Sequence, residues 1–327
     1  MKAVVCDRPG AEYVLRIEEV PAPDLGPEDI RIRVFTTSVN RADILQRQGL
    51  YPPPPGASPI LGLECAGEVA EVGSEVRGWK VGERVMALLA GGGYAEEVVV
   101  HHGSVLPVPS CLSWEEAGAF PEVFLTAFLN LFLLGHVPPG GRALVHGGGS
   151  GVGTAATTLL KLRNVQVFVT AGGEEKCRRC RDHGADVAID YRSQAFADVV
   201  REVTRGEGVH VVLDHIGAKY LEGNLNSLAN DGRLVIIGLM GGAKAELNLA
   251  PLLTRRLSIF GSTLRTRSVA DKARIVSAFR EQFGRELEAG QIRPVIDSVF
   301  PLERVAEAHR RVQSSQHFGK VALRVRP

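Results

Sequence analysis

The stretch "ALVHGGGSGVGTAATTLLK", residues 143–161, decides how the rest of this chain is read. Five glycines fall within the seven positions from Gly147 to Gly153, between an apolar run and a helix-like run. A strand, a glycine turn and a helix together make a site for a phosphate. The first amides of a helix have no intrahelical partner, and the helix dipole favours negative charge there. Glycines let the backbone approach a pyrophosphate, because no Cβ stands in the way. The strict G-x-G-x-x-G pattern fails at its centre: Gly148 and Gly153 fit its first and last glycines, but Ser150 takes the middle place. A serine hydroxyl can itself donate to a phosphate oxygen, so the loop is altered rather than lost. No G-K-[ST] follows, which argues against a P-loop. Such a turn can also be a packing device only, and its context decides between the two.

That context is a regular alternation from about residue 140 onward. "RALVH" leads into the glycine loop and helix. After it come "VQVFVTA" and "EEKCRRCRDHG", "DVAID" and "AFADVVREVT", "VHVVLDHI" and "YLEGNLNSLA", then "GRLVIIGLM" and "LSIFGST". Continuous apolar strands separated by helices indicate a parallel sheet covered on both faces, the doubly wound arrangement of nucleotide-binding domains. His146 ends the first strand and reads as a buried histidine satisfying a backbone carbonyl.

The end of the second strand bears on which dinucleotide is held. Enzymes for the unphosphorylated cofactor usually place an acid there to grip the ribose hydroxyls. Here the sequence is "VTAGG", with Ala171, Gly172 and Gly173 at that place, Lys176 following, and Tyr191 ending the third strand. A small, acid-free pocket with a nearby lysine suits a 2′-phosphate, hence NADPH. Glu174 and Glu175 argue mildly against this unless they are solvated residues of a first helical turn.

The first 115 residues read instead as short strands with glycine-rich turns: "IRIRVFTTSV", "GEVAEVG", "ERVMALLA" and "YAEEVVV". "YPPPPGASP" (51–59) has too few amide donors for a ladder and is a stiff surface loop. Ser113 in "LSWEEAGAF" is a plausible helix cap. A chain of 327 residues points to two domains. The formal net charge of +1 gives no reason to expect nucleic acid or an anionic membrane as partner. No apolar run is long enough to span a bilayer, and the N-terminus does not resemble a signal peptide, so a cytoplasmic location is the default. Five scattered cysteines do not make a disulfide framework. Cys177 and Cys180 form a C-x-x-C, read as neighbours on one face of a basic helix. No second pair or nearby histidines complete a metal site. His101 and His102 read as solvated turn residues, and Cys65 as core packing.

The sequence resembles the zinc-free quinone oxidoreductases, the zeta-crystallin-like branch of the medium-chain dehydrogenase/reductase superfamily, essentially end to end. The segments that carry the likeness are "NRADILQRQGLYPPPPGASPILGLECAGEV" (40–69), "GWKVGERVMALLAGGGYAEEV" (78–98), "LTAF" (125–128), "VHGGGSGVGTAA" (145–156), "LDHIG" (213–217), "GRLVIIGLMGG" (232–242) and "FGK" (318–320). Within that branch it is most similar to the animal NADPH:quinone reductases induced by the tumour-suppressor transcription factor. Those share the tyrosine–proline loop and a serine in the glycine turn. The resemblance implies an α/β protein with two parts. One is a GroES-like β-barrel substrate domain, 1–117 completed by 263–327. The other is a doubly wound parallel-sheet Rossmann domain, 118–262, with cofactor and substrate in the cleft between them. It also implies a homodimer through the edges of the Rossmann sheets, with "LSIFGSTL" a plausible edge. Zinc-dependent relatives use a cysteine after the N-terminal strand and a histidine in a "GHE" segment. Asn40 and Leu63 stand at those places, Glu64 remains, and the four-cysteine lobe is missing, so no metal is expected.

Site residues follow from the resemblance by motif position. Ser150, Gly151, Val152 and Gly153 would contact the pyrophosphate of NADPH. Gly172, Gly173, Lys176 and Tyr191 would surround its 2′-phosphate. Ile216, Gly238 and Met240 would line the adenosine and nicotinamide ribose, and Thr126, Ser262, Thr263 and Leu264 would lie nearer the nicotinamide. Lys320 would close the cofactor site from the other domain. Asn40, Asp43 and Tyr51 would meet a small quinone. Amide or phenol donors there would stabilise the negative charge that grows on its oxygen. Asp43 has a second reading, as a structural acid capping a turn. The leading expectation is metal-free hydride transfer from NADPH to small quinones. An enal, enone or enoyl-thioester double-bond reductase is the nearest alternative. A non-catalytic, crystallin-like NADPH-binding protein is the alternative of another class.

Overall fold

The structure is a computed structural model and describes residues 1–326. The described chain divides into two compact units, residues 1–125 with 264–326, and residues 126–263. The first unit opens with a two-stranded antiparallel sheet of β1 (Lys2–Val5) and β2 (Arg16–Glu19). Its main sheet is built on β3 (Asp29–Val39), β4 (Glu64–Val72), β5 (Arg84–Leu88), β6 (Glu97–His101) and β7 (Val105–Pro107). Alternation along β3 buries Ile30, Ile32 and Val34 and turns Arg33 to solvent, as a one-face-wet antiparallel strand requires. Those residues join Cys65, Val69, Val85, Ala87 and Val98 in one apolar core. Helix α1 (Arg41–Arg47) follows β3, and α2 (Trp114–Ala117) is capped by Ser113, whose Oγ accepts from Glu116 N at 3.2 Å.

Helix α3 (Pro121–Phe128) carries the chain across the division, further along than the expected break after residue 117. The reason is packing: Phe120 stacks on Phe124 with centroids 4.3 Å apart and meets Phe279 edge-on at 5.8 Å.

The second unit is a six-stranded parallel sheet. Its strands are β8 (Arg142–His146), β9 (Gln166–Ala171), β10 (Val187–Asp190), β11 (Val209–Asp214), β12 (Leu228–Ile236) and β13 (Ser258–Gly261). The spatial order is β10-β9-β8-β11-β12-β13, the 3-2-1-4-5-6 order of dinucleotide-binding sheets. Helices α4 (Gly151–Lys161), α5 (Glu174–Asp182), α6 (Phe196–Val203), α7 (Leu221–Ser227) and α8 (Ala250–Thr254) connect the strands. Leu144, Phe168, Ile189, Val212 and Leu234, from five neighbouring strands, pack with Phe196, Val200 and Leu225 of the helices.

The chain then returns to the first unit through α9 (Val269–Glu288), β14 (Ile296–Pro301), α10 (Val305–Gln313) and β15 (Lys320–Arg324). β15 pairs antiparallel with β3, Val321 opposite Val39, on the edge whose other half is taken by β6. This pairing sets Lys320 beside the start of α1.

Candidate active site

In the second unit the glycine loop leaves β8 and enters α4. Ser150 is the N-cap, its Oγ accepting from Gly153 N at 3.0 Å. The amides of Gly151 and Val152 have no hydrogen-bond partner among the described residues, so they and the Ser150 O–H remain for an anion. Gly153 cannot be larger: a Cβ there would lie 2.3 Å from Gly147 O and 2.8 Å from Gly148 Cα. Beneath the loop, His146 is buried. It bonds Thr170 Oγ1 at 3.0 Å and Asn224 Oδ1 at 2.6 Å, side chains rather than the backbone carbonyl expected. Burial holds its pKa down to about 3, so the ring is neutral.

At the end of β9, a Cβ on Gly172 would stand 2.7 Å from Tyr191 Oη, so only glycine leaves this corner open. Gly173, at φ +96°, donates to Asp190 Oδ1 at 2.9 Å. Arg192, which the sequence gave no reason to single out, places its guanidinium over the same glycines: Nε stands 3.4 Å from the Gly172 Cβ position and Nη1 3.4 Å from that of Gly173. Lys176 is half-buried on α5. Glu174 and Glu175 are exposed and pair with Arg181 and Arg178 of the same helix. Cys177 and Cys180 are buried, and burial raises both thiols, so neither is a ready nucleophile.

The loops after β11 and β12 are joined by backbone hydrogen bonds. Met240 N donates to His215 O at 3.1 Å and Gly241 N to Ile216 O at 2.6 Å, tying the loop after β12 to that after β11 and bringing Ile216, Gly238 and Met240 together. Ser262 N donates to Ile236 O at 2.9 Å, while its Oγ is buried without a partner. Thr126 is buried, its carbonyl accepting from Asn130 Nδ2 at 2.7 Å. A glycine cradle, free helix-start amides and an orphaned hydroxyl at a strand end fit a dinucleotide along the ends of this sheet. Leu264 and Lys320 belong to the first unit.

In the first unit a buried charge cluster surrounds Glu64, which has no exposed surface. Its Oε1 accepts from Asn40 Nδ2 at 2.9 Å, from Lys320 Nζ at 2.9 Å and from Ser38 Oγ; its Oε2 accepts from Glu122 N at 2.9 Å. Lys320 Nζ also donates to Asn40 Oδ1 at 2.6 Å and to Val39 O at 3.4 Å. Lys320, expected to close the cofactor site, is 3% exposed, and its ammonium donates to these three oxygens. Asn40 likewise points into this cluster rather than outward.

Asp43 takes its second reading. It has no exposed surface and accepts from Asn40 N at 2.7 Å, Gly62 N at 3.0 Å and Tyr94 Oη at 3.2 Å, closing the start of α1. Both of its oxygens are occupied by these donors. Burial raises its pKa to about 6 against the pull of those donors. Tyr94 leads on to buried His309 at 3.1 Å, and His309 to Arg47 at 3.3 Å. Since Tyr94 donates to Asp43, His309 carries its proton on Nε2 and accepts from Arg47 on Nδ1. Tyr51 is half-buried with the Arg265 guanidinium 5.4 Å from its ring centroid, and Arg265 is fixed by Ala90 O at 2.8 Å and Gln46 Oε1 at 2.6 Å. Glu122, Arg265 and His309 were missed by the sequence reading. A signal for the cluster existed: Glu64 stands in "LGLECAG", an acid inside an apolar run, which must be paired if buried.

Two units of this kind are those of an oxidoreductase of the medium-chain type. The comparisons agree. Residues 26–110 match the alcohol dehydrogenase GroES-like domain, and residues 151–278 match the family described as zinc-binding dehydrogenase. The quinone oxidoreductase of Lama guanicoe is 31% identical over 99% of this chain and 97% of its own length. The human synaptic vesicle membrane protein VAT-1 homolog is 33% identical over 93% of this chain and 80% of its own. A polyketide synthase subunit of Mycobacterium tuberculosis is 30% identical, but this chain spans only 14% of its length. Among solved structures, an NAD-dependent alcohol dehydrogenase is 35% identical with a TM-score of 0.86 over all of both chains. An Escherichia coli quinone oxidoreductase complexed with NADPH is 26% identical with a TM-score of 0.87 over 99% of this chain and 100% of its own. The chain belongs to the medium-chain dehydrogenase/reductase superfamily, among the quinone oxidoreductases, with a GroES-like domain and a Rossmann domain. Among the described residues no helix is long and apolar enough to cross a membrane.

Proposed function

We propose that the protein is an NADPH-dependent, metal-independent reductase of small quinones. The observation that carries this reading is the Lys320 ammonium, 2.9 Å from Glu64 and 2.6 Å from Asn40. It already neutralises the one acid left where the zinc-dependent relatives would bind their metal. Alcohol oxidation needs a Lewis acid or a free base to take the hydroxyl proton, and Asn40, Leu63 and a paired Glu64 are neither. A quinone needs no such deprotonation before it accepts hydride.

When bound, NADPH would supply that hydride. Ser150, Gly151, Val152 and Gly153 hold its pyrophosphate in this reading, and Gly172, Gly173, Lys176, Tyr191 and Arg192 its 2′-phosphate. Ile216, Gly238 and Met240 line the riboses; Thr126, Ser262, Thr263 and Leu264 serve the nicotinamide end, where the unpartnered Ser262 hydroxyl is an available donor. Tyr51 donates to the acceptor oxygen, while Asn40, Asp43 and Lys320 position the wall around it. The protein acts in the cytoplasm as a homodimer. β13, one of the two edge strands, pairs among the described residues only with β12, and Leu249 and Leu253 shortly before it in the sequence are 65% and 80% exposed, so a second copy would cover an open edge.

A second reading, reduction of an activated carbon–carbon double bond, is favoured by the likeness to the CurK enoyl reductase, 26% identical with a TM-score of 0.85 over 99% of this chain and 98% of its own. NADPH oxidation followed with ortho- and para-quinones, 2-alkenals and enoyl thioesters decides between them. The quinone reading expects turnover with the first two and is overturned by turnover with thioesters alone. NADPH binding with no turnover by any acceptor returns the non-catalytic alternative.

A further inference from the structure

A groove of about 710 Å³ opens on the first unit and shares no residue with the candidate active site. Three segments line it: the β4–β5 connection with the start of β5, the turn His102–Ser104 running into β7, and one face of α9. These walls meet closely. A Cβ on Gly103 would stand 2.6 Å from the Ala273 Cβ, so glycine lets the turn sit directly against α9.

The charges in this groove do not balance. Arg77, Arg84 and Arg280 line it, and Glu83 is the one acid among the described lining residues. The three arginines form no ion pair among the described residues, whereas Arg293, Arg311 and Arg324 of the same unit each hold a carboxylate. Glu83 turns its carboxylate to Lys80 N at 3.1 Å. Three guanidiniums less one carboxylate leave two positive charges. His102 also lines the groove, and its ring nitrogens have no hydrogen-bond partner among the described residues.

Two of the guanidiniums are already held in place. Arg77 Nη1 donates to Ser74 O and Val76 O, both at 2.9 Å. Arg84 lies 4.3 Å from the centre of the Trp114 ring, which is itself stacked on Phe35, and its Nη2 donates to Leu112 O at 3.1 Å. Its Nε is buried with no acceptor, and Nη1 has none either among the described residues. Side chains fixed by such contacts lose little freedom when a ligand arrives.

We propose that this groove is a second ligand site, for a small organic phosphate. A guanidinium fork matches phosphate oxygens, and a phosphate monoester carries about −1.5 to −2 charges at neutral pH, which balances the surplus. The volume is far more than a bare anion fills and lies within the range of pockets for whole small molecules, about 300–1,000 Å³. Trp79, half-buried on the wall, offers a flat apolar surface to a ring carried by the phosphate.

Both tryptophans of the chain border this region, Trp79 on the wall and Trp114 against Arg84, so tryptophan emission reads occupancy directly. The test titrates the full chain with phenyl phosphate, inorganic phosphate and neutral benzyl alcohol. Phenyl phosphate should quench saturably with a Kd below about 1 mM, inorganic phosphate should bind about tenfold more weakly, and benzyl alcohol should not saturate. Arg77→Gln and Arg280→Gln, both at exposed positions, should each weaken phenyl phosphate about tenfold with the urea midpoint unchanged. Lys176→Glu, in the second unit, should bind it as wild type does. No saturable quenching, wild-type affinity in both arginine variants, or loss in Lys176→Glu alone overturns the proposal. Inorganic phosphate binding as tightly as phenyl phosphate makes the groove a bare-anion site and overturns the organic ligand. Vesicles of phosphatidic acid in phosphatidylcholine test the headgroup source. Their capture of wild type but not of the arginine variants, with no response to phenyl phosphate, assigns the groove to a lipid surface and overturns the small-molecule ligand.

Discussion

Replacing Lys320 by methionine isolates the ion pair on which the first unit's polar cluster depends. Methionine keeps a flexible apolar stem of similar reach and removes the charge. Glu64 has 0% of its surface exposed and Lys320 3%, so the change strands a carboxylate out of water's reach. Ser38 Oγ, Asn40 Nδ2 and Glu122 N still donate to it and offset part of the loss. Removing one partner of a buried pair costs about 3–5 kcal/mol, and three surviving donors put the expectation near the lower end, about 3 kcal/mol. Adding Glu64→Gln takes away the stranded charge and should recover at least half, a coupling of about 1.5 kcal/mol or more. Both tryptophans, Trp79 and Trp114, lie in the first unit, so tryptophan emission during urea unfolding reports that unit and avoids treating a two-unit chain as one transition. Trp114 is a sensitive probe, stacked 4.8 Å from Phe35 with the Arg84 guanidinium 4.3 Å from its ring. At a urea slope of about 2–3 kcal/mol per molar, the single variant should unfold about 1 M earlier. A midpoint within about 0.2 M of wild type, or a double variant no more stable than the single one, refutes the account of Lys320 as the counter-charge of Glu64.

Further outcomes follow from the two units separately. Lys176→Glu should weaken NADPH by about tenfold or more while leaving NADH nearly unaffected, by fluorescence titration; equal wild-type affinity for the two cofactors ends the 2′-phosphate assignment. Gly153→Ala would set a Cβ 2.3 Å from Gly147 O, so the loop must shift. A strain of about 1–3 kcal/mol corresponds to about 5–150-fold weaker NADPH binding, with the tryptophan-monitored transition unchanged. Wild-type affinity in Gly153→Ala refutes the close approach. His309 is buried with its pKa held near 3, below the ordinary 6.5, so the unfolded chain binds its proton more readily and stability falls as pH drops from 6.5 toward 3. His309→Gln should remove a slope of about 1.4 kcal/mol per pH unit over that window in the tryptophan signal. The same slope in wild type and variant means the ring is already charged.

The second unit was legible because its physics is local. A parallel strand covered on both faces must be apolar throughout, and "VQVFVTA" and "VHVVLD" show it in unbroken runs. The phosphate loop was legible for the same reason: strand, glycines, serine cap and helix are contiguous, and the structure needs no distant residue to free the amides of Gly151 and Val152. In the first unit the identities were visible but the partners were not. Asn40 and Lys320 lie 280 positions apart and meet because β15 pairs with β3 in a register that sets Val321 opposite Val39. No local pattern encodes that register. Motif position singled out Lys320, but not its pairing with a carboxylate that burial obliges to find a cation. Glu122 carries even less signal. An acid in a helix's first turn after proline is ordinary, and nothing in "AFPEVF" marks it as unpaired while Glu64 is bonded on both oxygens. Environment alone separates Asp43, Glu64 and Glu122: one caps a helix, one balances an ammonium, and one is left without a donor. Chemically identical groups acquire separate acid strengths this way.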